Sequence, residues 1–407
     1  MNGQVSPPST LPERVAGWST FAPWLQDDPV SAFDEIREAG PVLWSEAHGG
    51  YWIFTRHEDI AWAARQADLF SSAEPLIPYR SMMPGEGQIP LGLDGEMHRR
   101  WRQTLAASFS PGTVNHFTPQ IRAVAAGLVA GLAGRGSCEF VADFAVSLPA
   151  EAFLINFGID RERLGEMLRF KEWLVREALP HAQTDEEVAA ATAPIREFFA
   201  SAVEQRRANG APGARDVISQ LVHARYDGRP LTMPELTNAL LVSMLASLDT
   251  TTSALGLAWA WLARHPDQRA AMIADPARQP LVIEELLRTQ PVLTTARVLT
   301  EDVERHGVQL RKGDKVLMSW GMSGLDPEAF ACPHAVDTTR DGGRQLAFGV
   351  GPHRCLGMHL ARRIIGIAFE EWHRRIPDYD IDEGSQPVVI HYSPVRGFSR
   401  LPLRFAG

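Results

Sequence analysis

The chain has 407 residues, 45% of them hydrophobic and 22% charged, with a net charge of −9 and three cysteines. That length supports a core large enough to enclose a cofactor. The acidic balance excludes a general attraction to nucleic acid, and so few cysteines exclude a disulfide framework and fit a reducing compartment.

Residues 1–30 are rich in Pro and Ser and read as an irregular arm without a secretory signal or membrane anchor. Gly50–His57 reads as a strand, and a helix follows from Glu58 to Ala67. Pro75 to Pro90 is a long loop with two adjacent methionines, Met82 and Met83; long loops in compact domains are often functional. The helical pattern returns from Glu96 to Ala107, and Ser110–Pro111 punctuates it. Residues 115–225 read as successive amphipathic helices. Thr232 and Glu235 form a capping box, which opens a long apolar helix ending at His265–Pro266. From Leu236 to Ala263 its only charge is Asp249. The length could span a bilayer, but Asp249 and the hydroxyls beside it lie in the middle, where polarity costs most in lipid. A buried central helix of a large soluble domain is the expectation. A further helix covers Pro280–Thr289. His306–Trp320 alternates like a hairpin with Gly313–Asp314 in its turn, and Met358–Ile376 is helical. The whole reads as one domain, 1–407, mainly α with small β-sheets at its margins.

Four stretches carry chemistry. In "FGVGPHRCLG" (Phe348–Gly357), Cys355 sits among three glycines beside His353 and Arg354. A zinc site would need more Cys or His at close spacing, and "CPH" (Cys332–His334) does not supply a Cys-x-x-Cys pair. No general base is evident for a cysteine nucleophile. A single thiolate in a large helical protein suits haem iron, because it pushes electron density toward the metal and favours O–O cleavage. Gly349, Gly351 and Gly357 would let the backbone turn tightly under a flat macrocycle. In "HRRWR", His98 and Arg102 are four apart on one helical face; with Arg297 and His353 they could neutralise two haem propionates. In "LASLDTTTS", Asp249 and Thr250 could relay protons, and the small Ala246, one turn earlier, would leave room for a diatomic ligand. The bland alternative is that the hydroxyls bond back to carbonyls one turn earlier. In "EELLR", Glu285 and Arg288 share a helix face and can pair.

Taken together, "DGEMHRRWR", "ASLDTT", "EELLR" and "FGVGPHRCLG", in that order, resemble the cytochrome P450 family. "HGVQLRKGDKVLMSWGMSGLDPEAFACPHAVDTTR" looks like a region of its camphor-hydroxylating bacterial member, and "WSEAHGGYW" is similar to a segment of the cineole-hydroxylating one. The resemblance implies a triangular, mainly α fold with haem b between the long central helix and the Cys-loop helix. It implies Cys355 as iron ligand, with Phe348 and Gly357 beside the haem. It also implies a cytoplasmic, monomeric monooxygenase fed with electrons from NAD(P)H by a reductase and an iron–sulfur ferredoxin. The substrate pocket would include Val242, Leu245, Ala246, Leu293, Thr294 and Val395, with the Met82–Met83 loop. Arg99, Arg100, Arg344, Arg354, Arg362 and Arg363 would form a basic face for the ferredoxin. Three departures stand out: Ser247 replaces a common Gly, Ile364 stands near a usual Glu, and no tyrosine anchor occurs near Glu86–Gln88. The expected reaction is hydroxylation, or O-dealkylation such as O-demethylation, of a small and mostly apolar terpenoid or substituted aromatic. A peroxide-driven enzyme, or a haem-thiolate binding or sensor protein without turnover, would share the Cys loop but would not need Asp249 and Thr250.

Overall fold

The structure, a computed structural model, describes residues 13–22, 24–27, 29–78, 81–210, 213–290, 292–340, 342–390 and 395–407. The chain forms two compact units. One comprises Met1–Arg80, Glu284–Arg354 and Ile390–Arg396; the other comprises Ser81–Ile283, Cys355–Val389 and Gly397–Gly407.

The first unit is built on a five-stranded sheet, in the order Val42–Ser45, Tyr51–Phe54, Lys315–Ser319, Thr294–Leu299, Phe70–Ser71. Its apolar strand residues, among them Ile53, Phe54, Phe70, Ala296, Val316 and Met318, form one buried cluster. The expected irregular arm holds two one-turn helices, Glu13–Ala16 and Trp24–Asp27. It is docked by Trp18, whose carbonyl accepts from Ser45 Oγ (2.7 Å) and Tyr51 Oη (2.5 Å).

The expected hairpin over His306–Trp320 is corrected. The hairpin pairs Val303–Arg305 with Val308–Leu310, and its two-residue turn is His306–Gly307, both at positive φ (52° and 75°), as turns that match strand twist require. Lys315–Ser319 instead joins the large sheet, parallel to Tyr51–Phe54 and antiparallel to Thr294–Leu299. Asp314 fixes that departure: its carboxylate accepts from Trp52 Nε1 and from the Arg311 amide, both at 2.8 Å.

In the second unit, the long helix Met233–Arg264 packs on Ser147–Phe157, Asp185–Asn209 and Met358–Arg375. It begins where the capping box places it. Glu235 N donates to Thr232 Oγ1, and Thr232 N to the Glu235 carboxylate. It is long and apolar enough to cross a membrane, but Leu240, Leu241, Met244, Leu255 and Trp259 are fully buried within the protein. The same reciprocal cap, Thr184 with Glu187, opens Asp185–Asn209. The helices predicted at Glu58, Glu96, Pro280 and Met358 are observed as His57–Arg65, Gly95–Ala106, Gln279–Thr289 and Met358–Arg375. Among the described residues no helix or strand interrupts the chain between Ser71 and Gly95.

His373, near the end of Met358–Arg375, is buried against Trp259 and bonded to Phe369 O (2.8 Å) and Tyr379 Oη (3.1 Å). Burial pushes its pKa down from 6.5 to about 4, so the neutral ring is the folded form. The unfolded chain therefore binds the extra proton, and stability is lost as pH falls from 6.5 toward 4, by about 3 kcal/mol. Denaturant titrations across that window should show a shallower acid loss in His373→Gln than in the parent.

Candidate active site

In the second unit, the central helix carries the polar group predicted from "LASLDTTTS". Asp249 Oδ1 accepts from Lys171 Nζ at 2.7 Å, a partner 78 residues earlier on Leu164–Trp173. Burial works against the Lys171 ammonium, but Asp249 and then Glu172 outweigh it and hold it above its ordinary value. The ion pair ties the Asp249 carboxylate to the neighbouring helix. Thr250 Oγ1 donates to Ala246 O at 2.8 Å. Ser247, the departure from the family pattern, donates to Ser243 O at 2.6 Å. Both hydroxyls therefore do what the bland reading expected, and Thr250 keeps its oxygen lone pairs as acceptors.

Ala246 is exposed although most of this helix is buried, and Leu245 is half-buried. Val242 is only 3% exposed, so the open face is centred on Ala246 and includes Ser243, Ser247 and Thr250, one step round from the predicted stripe. Cys355 is exposed too. Nothing lies within 4 Å of a Cβ built on Gly357. His98 is buried, at 3% exposure, on Gly95–Ala106. Burial depresses the pKa of Arg102, one turn later, while the charge of Cys355 opposes that shift, so the guanidinium lies within the electrostatic reach of the sulfur. An uncovered thiol, an uncovered alanine, a glycine open to space and a nearby half-buried cation fit a flat, anionic, thiolate-ligated group such as haem.

Other cysteine chemistry is poorly supported. Burial, then Asp143 and Glu139, push the Cys138 thiol up to about 12. Cys332 is exposed, and the neighbouring His334 faces Asp34 at 2.9 Å. Among the described residues one compact His–carboxylate group, Glu58, Asp59 and His306, has ligand-like spacing. The Arg305 guanidinium already occupies it, with Nε 2.5 Å from Asp59 Oδ1.

The first unit holds the other predicted residues. Glu285 and Arg288 are not a solvated surface pair: each is 2% exposed, and two parallel bonds of 2.8 Å join them. Arg288 also donates to Gly324 O, Pro333 O and Ala335 O. Glu285 Oε2 accepts from Asp337 N and Arg340 Nε. Burial alone would raise the Glu285 carboxyl, but these partners, Arg288 first, hold it below its ordinary range. The pair thereby braces the end of the helix Trp320–Gly324 and the stretch 333–340. Arg297 is buried on Thr294–Leu299 and donates to Ala296 O. Leu293 and Val395, both proposed for the pocket, form a β-bridge beside half-buried Thr294. Phe348 and His353 are half-buried in the glycine loop.

Two sequence expectations change in detail. Gly351 is at φ 78°, and a Cβ there would lie 2.4 Å from Ala64 O, so its packing against His57–Arg65 by itself requires glycine. Arg99 and Arg100 both bond Glu96, and Arg100 also bonds Asp227, which neutralises part of the expected basic face. Arg363 bonds Asn115 at 2.8 Å, Arg362 is half-buried, and Arg344 and Arg354 are exposed.

Sequence reasoning missed the fastening of the long loop. Asn238 of the central helix is 1% exposed. Its Oδ1 accepts from Ile89 N (3.0 Å), and its Nδ2 donates to Gly87 O (2.8 Å). Arg196 forks onto Glu86 at 2.9 and 3.1 Å. Met83 and Ile89 are buried among residues of both helices. The position expected to lack a tyrosine anchor is thus occupied by an ion pair and a backbone staple.

The cytochrome P450 family model matches residues 163–275 and 280–374. A probable cytochrome P450 127A1 from Sinorhizobium fredii is 33% identical, covering 98% of this chain and 97% of that protein. A methyl-branched lipid omega-hydroxylase from Mycobacterium tuberculosis is 28% identical over the same shares. The crystal structure of CYP101J2 superposes with a TM-score of 0.87 at 27% identity, covering 99% of this chain and all of that one. This chain belongs to the cytochrome P450 family and has its fold. It is a P450 monooxygenase, which implies haem, O2 and electrons from a redox partner.

Proposed function

We propose that the protein takes two electrons from an iron–sulfur ferredoxin and hydroxylates or O-dealkylates a small, mostly apolar terpenoid or substituted aromatic, as a monomer in the cytoplasm. Cys355 holds the haem iron; His98, Arg102, Arg297 and His353 pair with its propionates; Phe348 and Gly357 lie against it. Bound haem supplies O2 reduction and oxygen insertion into a C–H bond, with the thiolate favouring O–O cleavage. Asp249 holds and passes protons, and Thr250 accepts a hydrogen bond from the group or water being protonated. Val242, Leu245, Ala246, Leu293, Thr294 and Val395 are the residues assigned to the apolar pocket. The observation that carries this reading is Asp249 and Thr250 lying one turn after exposed Ala246 on a mostly buried helix. The relatives named as a methyl-branched lipid omega-hydroxylase and a steroid C26-monooxygenase support an apolar substrate.

The test is turnover under 18O2 with NADH, a ferredoxin reductase and a ferredoxin, against turnover with added peroxide. The reading predicts, from the ferredoxin system, one labelled oxygen in the hydroxyl of a hydroxylated product or in the aldehyde released by O-dealkylation, and little turnover with peroxide. Peroxide-only turnover contradicts it. Charge reversal of Arg363 should slow reduction by ferredoxin about tenfold at low salt; unchanged stopped-flow kinetics would remove Arg363 from the docking face.

A further inference from the structure

We propose that Ser243 and Ser247 make the open face of the central helix selective for neutral substrates that carry a hydrogen-bond donor, such as alcohols and phenols, over carboxylates. The inference rests on the monooxygenase reading, because it takes this face as the substrate side.

Ser243, Ala246, Ser247 and Thr250 follow i, i+3, i+4, i+7 spacing and share one face. Ala246, in their midst, is exposed, and both serines are half-buried. Each hydroxyl has one proton to give, and each has given it. Ser243 donates to Ala239 O at 2.7 Å, Ser247 to Ser243 O at 2.6 Å, and Thr250 to Ala246 O at 2.8 Å. What they present outward is lone pairs. The N–H groups of a helix interior are likewise committed to its own carbonyls. The face therefore accepts hydrogen bonds and offers none.

Its charge points the same way. No Lys or Arg occurs from Met233 to Ala263, and the one charge after Glu235 is Asp249. Lys171 is committed to Asp249, Arg196 to Glu86 of the covering loop and Arg229 to Glu235 at the start of the helix. A carboxylate placed here would surrender its hydration and meet only hydrogen-bond acceptors in return. An alcohol would give its proton to a serine oxygen. If the serines only shape the helix, replacing them leaves ligand choice unchanged.

The test uses the holoenzyme at neutral pH and three ligands of one shape: para-isopropylbenzyl alcohol, para-isopropylbenzoate and para-isopropyltoluene. Dissociation constants come from equilibrium dialysis and from the spin-state shift. The alcohol should bind about tenfold more tightly than the carboxylate. Ser247→Ala, or Ser243→Ala with Ser247→Ala, should weaken the alcohol about fivefold and leave para-isopropyltoluene within about twofold. Alanine favours the helix, so folding should survive. Carboxylate binding equal to that of the alcohol overturns the inference, as do alcohol binding unchanged in the double variant and failure of the alcohol to bind. The thiolate-shifted absorption of the reduced CO complex separates the two levels: if it is missing, the monooxygenase reading fails too; if it is present, only the serine assignment does.

Discussion

Arg288→Ala is expected to yield little holoprotein, and what folds should unfold well below the parent. The guanidinium is buried and bonds one carboxylate and three backbone carbonyls. Removing it leaves Glu285 charged and buried, with Asp337 N and Arg340 as its remaining partners. Breaking such a pair from one side costs about 3–5 kcal/mol, a large fraction of the 5–15 kcal/mol or so that holds a typical protein together. Glu285→Gln keeps the shape and should cost less, although it strands a buried cation in turn. Thermal unfolding followed by circular dichroism, with haem content per chain, measures both. A melting temperature within about 2 °C of the parent for Arg288→Ala would show that the brace contributes little.

The second large effect is on chemistry. Asp249→Asn keeps the size of the side chain and removes its capacity to pass a proton. Product formation should fall about a hundredfold, while substrate affinity and haem content stay near those of the parent. Lys171→Met probes the other half of the pair: it retains the carboxylate and removes the group that holds it. Its stability cost should be about 1 kcal/mol, because Asp249 is partly exposed and the pair is partly screened, and its rate loss should be smaller than that of Asp249→Asn. Equal rates in Asp249→Asn and the parent would remove Asp249 from the proton path.

The features legible in the sequence were those whose signals are local. The Thr232–Glu235 cap places the start of the central helix to the residue, because both partners of the reciprocal bond lie within one turn. The Cys355 loop and the Glu285–Arg288 spacing are equally compact. What the sequence did not disclose depends on which elements pack together. Lys171 reads as one more surface lysine in "RFKEW" until its helix meets the central one. Asn238 reads as a polar residue in an apolar run until the loop at Gly87–Ile89 folds over it. The hairpin over His306–Trp320 was misplaced because Gly313–Asp314 carries a turn signal as strong as His306–Gly307. Only the pairing of Lys315–Ser319 with two distant strands decides between them. The role of Ser247 was open for a related reason: a serine and a glycine both fit there, and only the bond to Ser243 O shows what the hydroxyl does.

Asp249 and Thr250 together would form the path by which protons enter the haem site. The direct measurement is the ratio of product formed to NADH consumed in Thr250→Ala and in the parent, with the same ferredoxin system and substrate. The account predicts that the variant still oxidises NADH at a comparable rate but loses most of its product, the difference appearing as hydrogen peroxide. A ratio equal to that of the parent would contradict it.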